Sequence, residues 1–119
     1  MKEGQAVPAT RQKWVVAATL DQLPPGSVIG VELNGRDLAL SNVDGRIHCT
    51  DNVCTHAYAL LSDGWLEGTV LACPLHGGQF DVVTGKALGA PVTEDLVVYQ
   101  TRTTDRQIEV WILEQAPAA

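Results

Sequence analysis

Two short motifs set the tightest condition on any fold this chain can adopt. Cys54-Thr55-His56 and Cys73-Pro74-Leu75-His76 each pair a thiol with an imidazole, and only residues 57–72 separate them. A lone cysteine is more often a small buried hydrophobe than a ligand, and a lone loop histidine is usually surface. Two matched pairs, the second flanked by Pro74 and Gly77, are a different matter. Two thiolates and two imidazoles on two loops make a four-ligand metal site if the loops close on one point. The fold must therefore be one that brings residues about twenty positions apart into contact. The third cysteine, Cys49, lies outside both motifs. An odd count with no secretory leader in view argues against a disulfide framework.

The rest of the chain reads as strands and turns. Lys13 to Ala17 is a first strand, and Asp21 to Gly26 is a turn, because two prolines and a glycine cannot continue a ladder. Ser27–Leu33 and Arg36–Val43 are β-rich runs joined by Asn34-Gly35, the favoured two-residue hairpin loop. Asp44-Gly45 leads to a third run, Arg46 to Thr50, completing an antiparallel meander. From about residue 51 to 86 the character changes to glycine-rich loop, with Val70–Ala72 and Gln79–Asp81 as short strands. Sheet-like sequence returns over Leu96–Thr103, turns at Thr104-Asp105, and ends in Gln107–Leu113. No helix-period segment of useful length appears. The expected fold class is all-β: antiparallel sheets forming a base, with a loop-rich insertion that carries both motifs. Long loops in a compact domain usually carry function.

Size and charge narrow the function. With 119 residues, one domain spanning 1–119 is expected, with loose ends at about 1–10 and 115–119. Eight basic and fourteen acidic residues give a formal charge of −6, a poor match for nucleic acid or an anionic membrane. There is no apolar run long enough to span a bilayer. The first ten residues show no secretory signal, so the expected compartment is the cytoplasm, with reduced thiols.

The ligand order bears on the metal. A Cys₂His₂ set also suits structural zinc, but zinc motifs usually pair like ligands, C-x₂₋₄-C with H-x₃₋₅-H. Here each loop gives one of each. That suits a binuclear site in which the cysteines hold one iron and the histidines the other, the ligand set of a Rieske [2Fe–2S] centre. The chain indeed resembles the Rieske family, and most of all the small Rieske ferredoxins of bacterial ring-hydroxylating dioxygenase systems, such as those acting on naphthalene, biphenyl or carbazole. The likeness extends through Asp51-Asn52-Val53, Ser62-Asp63-Gly64, Gln79-Phe80-Asp81, Thr84-Gly85-Lys86-Ala87 and Ala90-Pro91-Val92, and covers roughly Lys13 to Leu113.

That resemblance implies a good deal. Cys54 and Cys73 would bind the buried iron of one [2Fe–2S] cluster per chain, and His56 and His76 the outer iron through Nδ1. Ala90-Pro91 would belong to a third loop covering the cluster. The implied function is a one-electron carrier, not itself an enzyme, that passes electrons from a flavoprotein NAD(P)H-dependent ferredoxin reductase to a terminal ring-hydroxylating oxygenase. It would act as a monomer, with no nucleic acid or membrane partner. Two ferric ions, two sulfides, two thiolates and two neutral imidazoles sum to zero, against −2 for four thiolates, so the histidines raise the potential. Respiratory Rieske proteins add a cysteine to each cluster loop and donate hydroxyls to the cluster from a serine and a tyrosine. This chain has Ala59, Leu75, Gly78 and Phe80 at the corresponding positions, which places it at the low end of the Rieske range. The alternatives are a Rieske subunit of another oxidoreductase complex and a zinc-binding structural module.

Outside the motifs, Cys49 reads as a structural thiol, His48 as a surface strand residue, and Trp14 and Trp111 as cross-strand packing between the terminal strands. Trp65 is a candidate buttress for the cluster loops. Tyr58 reads equally as a neighbour of the cluster or as surface packing. Between Ile47 and Gly85 there is no Lys or Arg, only Asp51, Asp63, Glu67 and Asp81. These residues read either as ordinary solvated surface or as an acidic flank steering basic partners toward an apolar tip of Pro74, Leu75 and Pro91.

Overall fold

The computed structural model describes residues 11–55, 58–75 and 77–113. The expected loose ends and the two histidines of the motifs lie outside these residues. Among the described residues, ten strands form three antiparallel sheets. In the first, β1 (Gln12–Thr19) and β9 (Thr101–Thr104) flank β10 (Gln107–Leu113). The second runs in the order β2 (Val28–Leu33), β3 (Arg36–Val43), β4 (Arg46–Asp51), β8 (Val98–Tyr99). The third, inside the insertion, is β5 (Trp65–Glu67), β6 (Val70–Ala72), β7 (Gln79–Asp81).

The hairpins form where the turn chemistry places them. Asn34 and Gly35 have φ of 52° and 82°, and Asp44 and Gly45 have 51° and 93°, the left-handed pair that a two-residue hairpin needs. The last hairpin turns one residue later than expected, at Asp105 and Arg106. Arg106 takes a positive φ of 65° there, and its guanidinium pairs with Asp21 of the 3-10 turn Leu20–Gln22.

Two cores share strand β3. Leu38 and Leu40 pack with Leu23, Cys49, Ile108, Val110 and Ile112 between the two large sheets. Ala39, pointing the other way, packs with Leu61, Leu71, Phe80, Val82 and Leu96 under the insertion. Covered on both faces, β3 is buried continuously from Leu38 to Asn42. Its run Leu-Ala-Leu-Ser-Asn lacks the polar alternation of a half-exposed strand for this reason. The insertion is thus mounted on the rear of the base sheet.

The segment expected as one strand, Leu96–Thr103, is two. β8 pairs with β4 and β9 with β10, so the chain changes sheets at Gln100, whose carbonyl accepts from Trp111 N–H at 2.9 Å. Trp14 and Trp111 face each other in register with ring centroids 5.3 Å apart, and the Arg102 guanidinium sits 4.3 Å from the Trp14 ring centroid. Cys49 is fully buried, and burial, with the Asp51 carboxylate adding to it, pushes its thiol up to about 12. It is a neutral packing group, as the sequence suggests. His48, read as a surface residue, is instead half-buried in β4, where burial lowers its pKa, the Asp81 carboxylate opposes the shift and Arg46 adds to it.

Candidate metal centre

Each motif lies on a loop closed by its own backbone. The first begins as β4 ends. Val53 bridges Leu60, and Cys54 N–H donates to Ala59 O at 2.9 Å, with Cys54 buried at the root of this closure. The second leaves β6 directly. Cys73 N–H donates to Gly78 O at 2.7 Å, and β7 follows. Cys73 is fully buried, whereas Pro74 and Leu75 are exposed, Leu75 by 45%. The apolar exposure on this loop therefore begins one residue after the thiol.

The two cysteines come together. Burial raises the Cys73 thiol, a backbone N–H from Leu75 to its sulfur works against this, and the Cys54 thiol, within hydrogen-bonding reach, raises it further. Two adjacent buried thiols cannot both ionise without a cation between or beside them. The donor set thus fits a metal group with soft-ligand preference, and the Leu75 N–H is oriented to a sulfur as such groups require. His56 and His76 lie outside the described residues. Thr55 and Gly77 next to them are described, with Gly77 at φ +67°.

A third segment lies across both loops. The Thr55 hydroxyl donates to Glu94 O at 2.8 Å. Val92, 2% exposed, fills the space beside Gly78, where a Cβ would come within 2.6 Å of Val92 Cγ1. Ala90-Pro91 is a cis peptide, and Pro91 is exposed. The Thr55–Glu94 link had no sequence signal, since a backbone acceptor 39 residues away leaves no trace in composition.

The acidic flank divides. Asp51 accepts a 2.6 Å hydrogen bond from Tyr99, whose phenol is pushed up to about 12 by burial and by that carboxylate. Asp81 caps its own turn, accepting from Val83 N–H at 2.8 Å and Thr84 N–H at 3.2 Å. Asp63 is exposed and, with Asp37, lines a cleft of about 300 Å³ whose apolar wall is Val53, Tyr58, Leu60 and Pro74. Tyr58 is 97% exposed, so it packs against nothing in the chain's own core. Trp65 is half-exposed on edge strand β5, in register with Ala72 just before Cys73.

An all-β base thus carries a small sheet and two cysteine-bearing loops that meet under a third segment. The chain belongs to the Rieske [2Fe–2S] domain family, which matches residues 13–101, and its cofactor is a Rieske-type [2Fe–2S] cluster. It is 50% identical over 97 residues to the ferredoxin component of the naphthalene 1,2-dioxygenase/salicylate 5-hydroxylase systems of Ralstonia sp, covering 82% of this chain and 93% of that one. Among solved structures, the Sphingomonas yanoikuyae B1 ferredoxin superposes with a TM-score of 0.78 at 34% identity, covering 86% of this chain and 99% of that one. A structure described as a complex of reduced oxygenase and oxidized ferredoxin in carbazole 1,9a-dioxygenase contains a chain that superposes with a TM-score of 0.78 at 31% identity, covering 89% of this chain and 97% of that one. Among the described residues no helix is long and apolar enough to cross a membrane.

Proposed function

We propose that this chain is the ferredoxin component of an aromatic-ring dioxygenase system, a non-catalytic carrier of single electrons. Cys54 and Cys73 hold one iron of its cluster, and His56 and His76 hold the other. It takes electrons from a flavoprotein NAD(P)H-dependent reductase and delivers them to a terminal oxygenase. When bound, the cluster supplies a single reversible one-electron couple. The chain's own residues shield the cysteine end, donate an N–H to sulfur and present an apolar tip to partners. The observation that carries the reading is the meeting of Cys54 and Cys73, both buried, with Pro74 and Leu75 exposed directly after Cys73. The 50% identity to a dioxygenase ferredoxin along 93% of its length supports the choice of system.

The test is electron transfer in a reconstituted chain of reductase, this protein and oxygenase. Leu75→Glu places a charge on the exposed tip beside Cys73, where a short-lived dry contact is expected. It should slow transfer to the oxygenase by about tenfold or more, a loss of roughly 1.4 kcal/mol of docking energy, with spectrum and midpoint unchanged. Thr103→Glu, the same charge on β9 in the sheet away from the insertion, should change little. Stopped-flow rates equal to wild type for Leu75→Glu at low and high salt would move the docking face elsewhere. A colourless protein would point to zinc, which has no visible bands because it is d¹⁰.

The potential has its own test. The two hydroxyl donors of the respiratory proteins are absent, with Gly78 and Phe80 in their places. Restoring the serine meets Val92 at 2.6 Å, so Gly78→Ser disturbs packing as well as hydrogen bonding. Phe80→Tyr is the cleaner variant. A new hydrogen bond to the cluster worth about 1 kcal/mol should raise the midpoint by roughly 40 mV. Voltammetry on a variant whose crystal structure shows the bond decides the matter, and no upward shift there would refute the assignment.

A further inference from the structure

The 3-10 turn Leu61–Asp63, with Gly64 after it, touches the roots of both cysteine loops. On one side it is gripped by Asn52, two residues before Cys54 and 3% exposed. The Asn52 carbonyl accepts from Leu61 N–H at 2.7 Å, its side-chain Oδ1 accepts from Ser62 N–H at 2.8 Å, and its Nδ2 donates to Ser62 Oγ at 2.9 Å. The Asn52 N–H is itself held by Asp37 O at 3.0 Å. On the other side, Gly64 presses on Ala72, the residue before Cys73, so closely that a Cβ would lie 1.8 Å from Ala72 O. Gly30 of β2 stands behind the grip. A Cβ there would come 2.6 Å from Ser62 Oγ and 2.8 Å from Asn52 Nδ2. One amide therefore spends both of its ends on one serine, against a wall with no side chain.

We infer that the Asn52–Ser62 pair, seated on Gly30, is a positioning device that sets the spacing between the two ligand loops and so holds the cluster in place. The inference rests on Cys54 and Cys73 being ligands. Neither residue reaches the cluster in this role. The pair acts by fixing where the Leu61–Gly64 turn, and with it Ala72 and Cys73, stands relative to Cys54. A loose spacer lets the thiolates separate, and the metal is then exchanged faster.

A buried asparagine elsewhere separates this role from plain stability. Asn42 on β3 is 4% exposed and also makes two side-chain bonds, Nδ2 to Leu23 O at 2.8 Å and Oδ1 from Gly45 N–H at 2.7 Å. Those bonds pin turns of the base and not the insertion. The experiment uses cluster-loaded wild type, Asn52→Ala, Ser62→Ala and Asn42→Ala. It follows bleaching of the visible absorption by excess iron chelator, the EPR signal of the reduced cluster, and global unfolding in denaturant. Asn52→Ala should bleach about tenfold faster or more, since it strands a serine N–H and removes two bonds, and its EPR signal should broaden. Ser62→Ala, which keeps the N–H bond to Oδ1, should bleach a few-fold faster. Asn42→Ala should lose comparable global stability yet bleach within about twofold of wild type. Equal bleaching of Asn52→Ala and Asn42→Ala at equal loss of stability overturns the positioning role. If Asn52→Ala fails to load a cluster, Ser62→Ala decides alone, and a wild-type rate for it overturns the role. A wild-type chain without the chromophore overturns the ligand assignment and the positioning role together.

Discussion

His56→Cys or His76→Cys should lower the midpoint potential by about 100 mV or more, or cost the protein its cluster. The sign follows from charge. A neutral imidazole replaced by a thiolate makes the cluster one unit more negative in both redox states, so adding an electron becomes harder. The size is bounded by the known classes: Rieske centres lie at roughly −150 to +300 mV, and all-cysteine plant-type clusters near −400 mV. A single exchange should cover part of that gap. Film voltammetry of the variant, with iron content and visible spectrum measured on the same sample, checks it. An unchanged midpoint with full iron would remove that histidine from the ligand set. Cys54 and Cys73 meet in the fold, so the result tests the other two ligands that the motifs propose.

Gly64→Ala should reduce the iron content of purified protein below about a tenth of wild type and lower the unfolding free energy by about 3 kcal/mol or more. The added methyl would sit 1.8 Å from Ala72 O, 3.0 Å from Ala72 C and 3.2 Å from Leu61 O. All of these are backbone atoms, so no rotamer change relieves the contact. Strand β6 must move away from the turn, and Ala72 is only 1% exposed, with the second core packed against its neighbours Leu71 and Cys73. Cys73 moves with it, and its spacing from Cys54 changes. Iron analysis and a denaturant titration measure the two effects. Near-normal iron with a lowered unfolding midpoint would show that the loops tolerate the displacement. Gly68, which has open space around its missing Cβ, makes the comparison, although its φ of +62° gives any substitution there a backbone cost of its own.

The resemblance read from the motifs holds at the level of family and cofactor, and the elements it rests on are local. Asn34-Gly35 and Asp44-Gly45 announce hairpins because only a few residue types accept two consecutive left-handed positions cheaply. The strands β2, β3 and β4 between those turns follow at nearly their full lengths. Strand β5 was not legible. Three residues, Trp65, Leu66 and Glu67, are too short to show a period, and they become a strand because β6 stands ready to pair. The division of Leu96–Thr103 was not legible either, since Val98-Tyr99 and Thr101–Thr104 have the same β-forming composition and differ only in which sheet receives them.

The glycines show where local reasoning ends. Gly35 and Gly45 can be explained by their own turns. Gly30, Gly64 and Gly78 need no positive φ; they are glycine because Ser62, Ala72 and Val92, each from another segment, occupy the space of a side chain. Likewise Asn52 and Ser62 were visible as part of a matching stretch, but their bond to each other appears only when the insertion folds onto the base sheet. By itself the sequence determined the candidate ligand types and their pairing in two motifs, the β character and the hairpins, since these depend on side-chain chemistry and on backbone preferences within a few residues. The tertiary structure alone decided which sheet each strand joined, that β3 is covered on both faces, and how Asn52, Ser62, Gly64 and Ala72 space the two cysteine loops. Those outcomes depend on close packing between segments far apart in the chain, where a single missing methyl group decides whether two backbones can meet.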